Sequence, residues 1–136
     1  MFVGTRNPHD APSSVLPHRD AVVPGGWHEA EESSRWTNGP ASAWLRLGAK
    51  VEATLMHVNP TAERIPVSFT ADGVRLGEVK LERGTWTDVS FDVPQSLREH
   101  VARVTITPER TWSPAEHGVK EDLRTLGVSV RKIASP

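Results

Sequence analysis

Ile65-Pro66-Val67-Ser68-Phe69-Thr70-Ala71-Asp72-Gly73-Val74-Arg75-Leu76-Gly77-Glu78-Val79-Lys80-Leu81 decides the fold. Ile65, Val67 and Phe69 recur with period two, the spacing that puts every other side chain on one face of a pleated strand. Asp72-Gly73 is a dipeptide that tolerates the positive φ of both central residues of a type I′ turn, the turn whose twist matches two antiparallel strands. The segment therefore reads as a β-hairpin with one buried face.

Outward from the hairpin the same period continues. Leu45 and Leu47 share one phase, and Thr54, Met56 and Val58 are read as another inward set. Val89, Phe91 and Val93 alternate before Pro94, which ends pairing, and Ala102, Val104 and Ile106 alternate before Pro108. Val128, Val130 and Ile133 close the chain. The one helical candidate is the short stretch Pro94 to His100, a turn of helix or a loop. About seven or eight short strands at turn-marked intervals predict an all-β, antiparallel two-sheet β-sandwich, jelly-roll-like, with Leu45, Leu47, Val67, Phe69, Val89, Phe91, Val104 and Ile106 pointing inward.

Residues 1–25 break the pattern. Pro8, Pro12, Pro17 and Pro24 interrupt any helix or ladder, so this stretch reads as a proline-rich arm or linker that adds little stability, unless Val15, Leu16, Val22 or Val23 docks it. Residues 26–136 are read as the sandwich module, one domain with one core.

Composition excludes several classes of function. A net charge of −1 with 24% charged residues makes no field for nucleic acid. The absence of cysteine removes thiolate metal sites and thiol catalysis. No apolar run reaches the roughly 20 residues of a membrane span, and no signal segment is recognisable, so a soluble, cytoplasmic protein is expected. His28 with Glu29, Glu31 and Glu32 reads as a solvated acidic loop rather than a metal site. His57 is read as face-exposed, and Asp88 and Asp92 as ordinary acids sharing a strand face. Without a Gly-x-Ser-x-Gly elbow or a phosphate loop, neither an enzyme nor a cofactor is expected.

The five tryptophans give the functional signal, since the chain has no tyrosine. Trp27, Trp36 and Trp112 fall in polar, turn-rich segments, where they serve either as a surface platform or as plugs at the rim of the sandwich. Sugar rings pack a C–H face on an aromatic plane and pair their hydroxyls with planar bidentate groups. The stretch Arg35-Trp36-Thr37-Asn38 supplies both, with Trp27, Trp112 and Arg124 as further candidates. Arg35 is also read as the ion-pair partner of Asp122 or Glu29, tying the entry segment to the late loop.

Gly26-Trp27 with Glu29, Arg35-Trp36-Thr37, Leu45-x-Leu47, Asp72-Gly73-x-x-Leu76-Gly77, Gly84-x-Trp86, Phe91-x-x-Pro94, Trp112-x-Pro114 and Asp122-x-Arg124-x-Leu126-Gly127-Val128 follow in order. This order resembles the small β-sandwich, carbohydrate-binding-like modules appended to bacterial glycosyltransferases and sugar-cluster methyltransferases that build surface polysaccharides. The resemblance implies a noncatalytic, glycan-associated accessory module, or an assembly module that packs on such an enzyme. Leu123 stands where those modules commonly carry serine.

Overall fold

The computed structural model describes residues 11–136. Two antiparallel sheets pack face to face. Their strands are β1 (Ser14–Val15), β2 (Arg35–Trp36), β3 (Ala41–Arg46), β4 (Lys50–Met56), β5 (Arg64–Ala71), β6 (Val74–Glu82), β7 (Thr87–Asp92), β8 (Val101–Pro108) and β9 (Ser129–Ala134). One sheet runs β1-β9-β4-β7, with β2 also on β9, and the other runs β3-β8-β5-β6. Gln95–Leu97 and Pro114–His117 form single 3₁₀ turns. No helix among the described residues is long and apolar enough to cross a membrane.

The decisive hairpin forms as read: Ala71 pairs with Val74, and Asp72 and Gly73 take φ of 49° and 81°. Ile65, Val67, Phe69 and Ala71 are all buried. Leu45, Leu47, Val67, Phe69, Val104 and Ile106 point into the core as expected, whereas Val89 and Phe91 are half-buried against it. Their strand β7 is an edge strand, covered from one side only. Phe91 lies where a Cβ on Gly77 of the opposite sheet would overlap its ring, and it meets Phe69 with centroids 4.9 Å apart. That contact joins the two sheets at their β6–β7 side.

One strand is turned over relative to its reading. In β4 the buried residues are Val51, Ala53 and Leu55, while Thr54 and Met56 face outward. Both phases of this strand contain apolar residues, so period alone does not choose between them, and a slip of one residue flips every side chain. Cross-strand register decides: Ala53 sits beside Ile133 of β9 and Val89 of β7.

The same flip buries His57, which was expected to be exposed and is 0% accessible. Its Nδ1 accepts the Asn59 N–H at 3.1 Å, and its Nε2 faces the Glu63 carbonyl at 3.2 Å, so the ring is neutral with the proton on Nε2. Burial, aided by the Arg83 charge and opposed by the carbonyl hydrogen bonds, holds its pKa below the ordinary value. The folded state therefore binds a proton less readily than the unfolded chain. Stability should be unaffected by this group above about pH 6.5 and should fall as pH drops below it. A His57→Gln variant, melted between pH 7.5 and 5, should show a shallower loss than the parent; equal slopes would assign the pH dependence elsewhere.

The arm docks where it is described. Val15 is buried and pairs with Ile133, the Ser135 N–H donates to the Ser13 carbonyl at 2.7 Å, and the Arg46 N–H donates to the Pro12 carbonyl at 2.9 Å. Val23 continues along β3 through the Ser42 carbonyl at 3.0 Å. Residues 11–25 thus bridge β9 of one sheet to β3 of the other, through Val15 and Val23 among the residues read as able to dock the arm. Its prolines punctuate the path without preventing hydrogen bonds by the residues between them. The remainder of the expected arm, residues 1–10, lies outside the described residues.

Candidate functional site

The tryptophans of the entry and late segments are spent on packing. Gly26, with φ of 83°, leaves no room for a Cβ against the Pro40 carbonyl and lets the chain turn there. Trp27 then packs on the core and donates its indole N–H to the Ser42 carbonyl at 3.0 Å. Trp36 is 8% exposed, in β2 beside Ser129. The Trp112 backbone exchanges hydrogen bonds with Leu126, and its ring meets His117 edge-on with its indole nitrogen buried. Trp27 and Trp36 are thus covered by the fold, while Trp112 is half-buried beside His117.

The polar partners are likewise engaged. Arg35 donates to the carbonyls of His28 at 2.5 Å and Pro17 at 3.3 Å, joining the docked arm to the entry segment. It does not pair with Asp122 or Glu29. Asp122 instead receives two hydrogen bonds from the Arg124 guanidinium, at 2.9 and 2.7 Å, and Glu31 approaches the same guanidinium at 3.4 Å. A partner two residues away needs less ordering than one across the molecule, and the Arg124 N–H also donates to the same carboxylate at 3.2 Å. These bonds hold the Asp122 carboxyl down at about 2. The entry segment and the late loop are therefore tied as expected, by Glu31–Arg124 and by His28 on the Thr125 carbonyl at 2.5 Å, through residues other than those read. Of the six candidate ligand residues, Asn38 keeps an exposed side chain without a hydrogen bond among the described residues.

A different surface gathers polar groups. On the outer face of the β1-β9-β4-β7 sheet, cross-strand register lines up two rows: Lys132, Thr54 and Asp88, and beside them Ser14, Ala134, Glu52 and Ser90. All of these except Ser14 line a groove of about 330 Å³. Small Ala134 and Ser90 flank Glu52 in one row, and the longer Lys132 and Asp88 flank Thr54 in the other. Thr54 donates its hydroxyl to Asp88 at 2.6 Å, and Lys50 engages Asp92 at 3.0 Å in the next row. Trp86, just before β7, lies under the Arg131 guanidinium at 3.9 Å.

The sequence reading passed over this face. Asp88 was recognised on its strand, but the neighbours that make it part of a groove come from β4 and β9, about 35 and 45 residues away. Chemically the groove offers carboxylate acceptors, an ammonium donor and hydroxyls of both kinds, on a rigid support. No group of three or more His, Asp or Glu side chains among the described residues is placed to hold a metal ion. A second, shallow depression lies on the late loop, where Val119 is 51% and Leu123 80% exposed.

No protein-family model matches the chain, and no curated protein does. Solved structures do. The C-terminal CBM6 of LamC, a marine laminarinase from Zobellia galactanivorans, is 13% identical with a TM-score of 0.48 over 90% of this chain and 98% of that one. A family 35 carbohydrate-binding module from an environmental isolate is 15% identical with a TM-score of 0.43 over 91% and 88%. A cycloisomaltooligosaccharide glucanotransferase from Paenibacillus sp., solved with cycloisomaltoheptaose, is 5% identical with a TM-score of 0.48; the match covers 98% of this chain and 19% of that one. At such identities these likenesses give no residue of this chain a role.

Proposed function

We propose that the chain is a noncatalytic glycan-binding module whose ligand lies in the groove of the β1-β9-β4-β7 sheet. The observation that carries this reading is the pair of cross-strand rows, which present Glu52, Asp88, Lys132, Thr54 and Ser90 together on one open face. Carboxylates and an ammonium on a rigid sheet can accept from and donate to the hydroxyl rim of a sugar without first being ordered. No aromatic ring lines the groove itself. Binding then rests on exposed hydrogen bonds, and affinities of roughly 10 µM to millimolar are expected. The motif order in the sequence supports an accessory role in bacterial polysaccharide biosynthesis.

Titrating a panel of neutral, acidic and amino oligosaccharides while recording backbone amide shifts tests the site. Saturable shifts at Glu52, Thr54, Asp88, Ser90 and Lys132 are expected, weakened by Glu52→Gln and Asp88→Asn. Trp27→Ala and Trp36→Ala should lower the melting temperature and, in the fraction that stays folded, leave the groove shifts in place. Shifts centred on Asn38 and Trp112, or none with any sugar, would end the groove reading.

A second reading, an assembly module that packs on a partner glycosyltransferase or methyltransferase, is favoured by the exposure of Leu123 and Val119 on the late loop. Exposed apolar side chains sharing one depression are a feature of protein contact surfaces. It gains ground if the sugar panel is silent and Leu123→Ser abolishes copurification of such an enzyme.

A further inference from the structure

The polar groups of the groove are not evenly distributed. Between Thr54 and Leu55 the register of β4 against β9 shifts: Thr54 faces Lys132, but Leu55 faces Val130. Arg131 is the extra residue of this bulge. The exposure of β9 shows the result, two consecutive exposed residues, Arg131 and Lys132, between buried Val130 and buried Ile133. A regular strand would have sent one of them into the core. The bulge puts both cations on the groove side.

Neither cation is neutralised. Among the described residues, no carboxylate lies within ion-pair distance of Arg131 or Lys132, whereas Lys50, Arg64 and Arg75 each have one and Arg124 has two. Arg131 is instead laid over the Trp86 ring at 3.9 Å, a contact that holds the guanidinium in place without neutralising its charge. Trp86 comes two residues before Asp88 and Arg131 directly precedes Lys132, so the stacked pair adjoins two residues that line the groove. Beyond Lys132 the charge changes sign, with Asp88 and Glu52 along the groove.

We infer that the Arg131–Lys132 end reads a carboxylate on a sugar ring, so that the ligand class of this groove is a uronate-bearing glycan. This rests on the glycan reading proposed above and adds its charge. A planar carboxylate matches the paired N–H edge of a guanidinium, and Lys132 supplies a second, point-like donor. The ring hydroxyls then fall toward Glu52, Asp88 and Ser90, which accept from them. The same two carboxylates repel a densely charged chain such as a nucleic acid, so the groove accepts an isolated anionic group beside neutral hydroxyls.

The test uses the whole chain and two probes that differ in one group: a trimer of galacturonic acid and the same trimer with its carboxyls reduced to alcohols. Calorimetry and the indole N–H shift of Trp86 follow binding. The acidic trimer should bind at least roughly tenfold more tightly than the reduced one, and Arg131→Gln and Lys132→Gln should each remove most of that preference. Raising salt from about 0.05 to 0.5 M should weaken the acidic trimer alone. Both substitutions are at exposed positions, and Lys132→Gln leaves the Trp86 contact intact, so a folding defect in one variant still leaves the other informative. Equal binding of the two trimers, or a preference unchanged in both variants, overturns the inference while leaving the glycan reading standing. Silence with both trimers, when a neutral or amino oligosaccharide still shifts the groove, does the same. Silence with every sugar overturns both.

Discussion

Replacing Phe69 by alanine should destabilise the protein by about 3–5 kcal/mol, the range for deleting a fully buried phenylalanine and leaving a cavity. Phe69 is 0% exposed at the centre of β5, with β8 on one side and β6 on the other. Its ring meets Phe91 from the opposite sheet, so the cavity would open on the contact that joins the sheets. The neighbours on β8 are strand residues held by ladder hydrogen bonds on both sides and have little freedom to collapse into the space. Phe91→Ala should cost less, because Phe91 is half-buried on an edge strand and solvent already reaches part of its ring. Urea unfolding of both variants checks the order. A Phe91 variant as damaged as the Phe69 variant would mean that the β6–β7 side, rather than the strand centre, carries the packing.

The second large effect concerns the docked arm. Deleting residues 1–20 should lower stability by about 2–4 kcal/mol relative to deleting residues 1–10. The lost terms are burial of Val15, about 1.5–3 kcal/mol, and several backbone hydrogen bonds of about 1 kcal/mol each. Release from ordering these residues offsets part of that loss. The deletion also uncovers the β9 edge at Ile133 and Ala134, an unpaired edge that invites association. Thermal melts, with mass in solution measured alongside, separate the two consequences. If the two truncations melt together and stay monomeric, the Ser14–Val15 pairing contributes nothing to stability.

The hairpin from Ile65 to Leu81 was legible because its evidence is local: one apolar phase and one dipeptide that takes positive φ at both positions. The β4 strand was not legible in the same way. Lys50 to Met56 carries apolar residues in both phases, and its direction depends on Ile133 and Val89, which lie far along the chain. His57 inherited that error, since its burial follows from the phase of the strand before it. Arg35 joins the entry segment to the docked arm rather than pairing with Asp122 or Glu29 to reach the late loop. Its acceptors are backbone carbonyls, which leave no mark in a sequence because every residue has one.

Local periodicity and turn chemistry by themselves determined that this chain makes an antiparallel two-sheet sandwich, and most of what fills its core, because those signals act over a few residues. Tertiary structure alone decided which polar residues stand together. The groove joins β4, β7 and β9 through cross-strand register, and the bulge that turns both Arg131 and Lys132 outward arises from a mismatch between two strands rather than from either one. It also decided how far Trp27 and Trp36 are covered, because whether a ring is covered depends on which distant segment returns to lie over it. Register and return paths are set by the sum of many weak contacts across the fold, and no short stretch of sequence contains that sum.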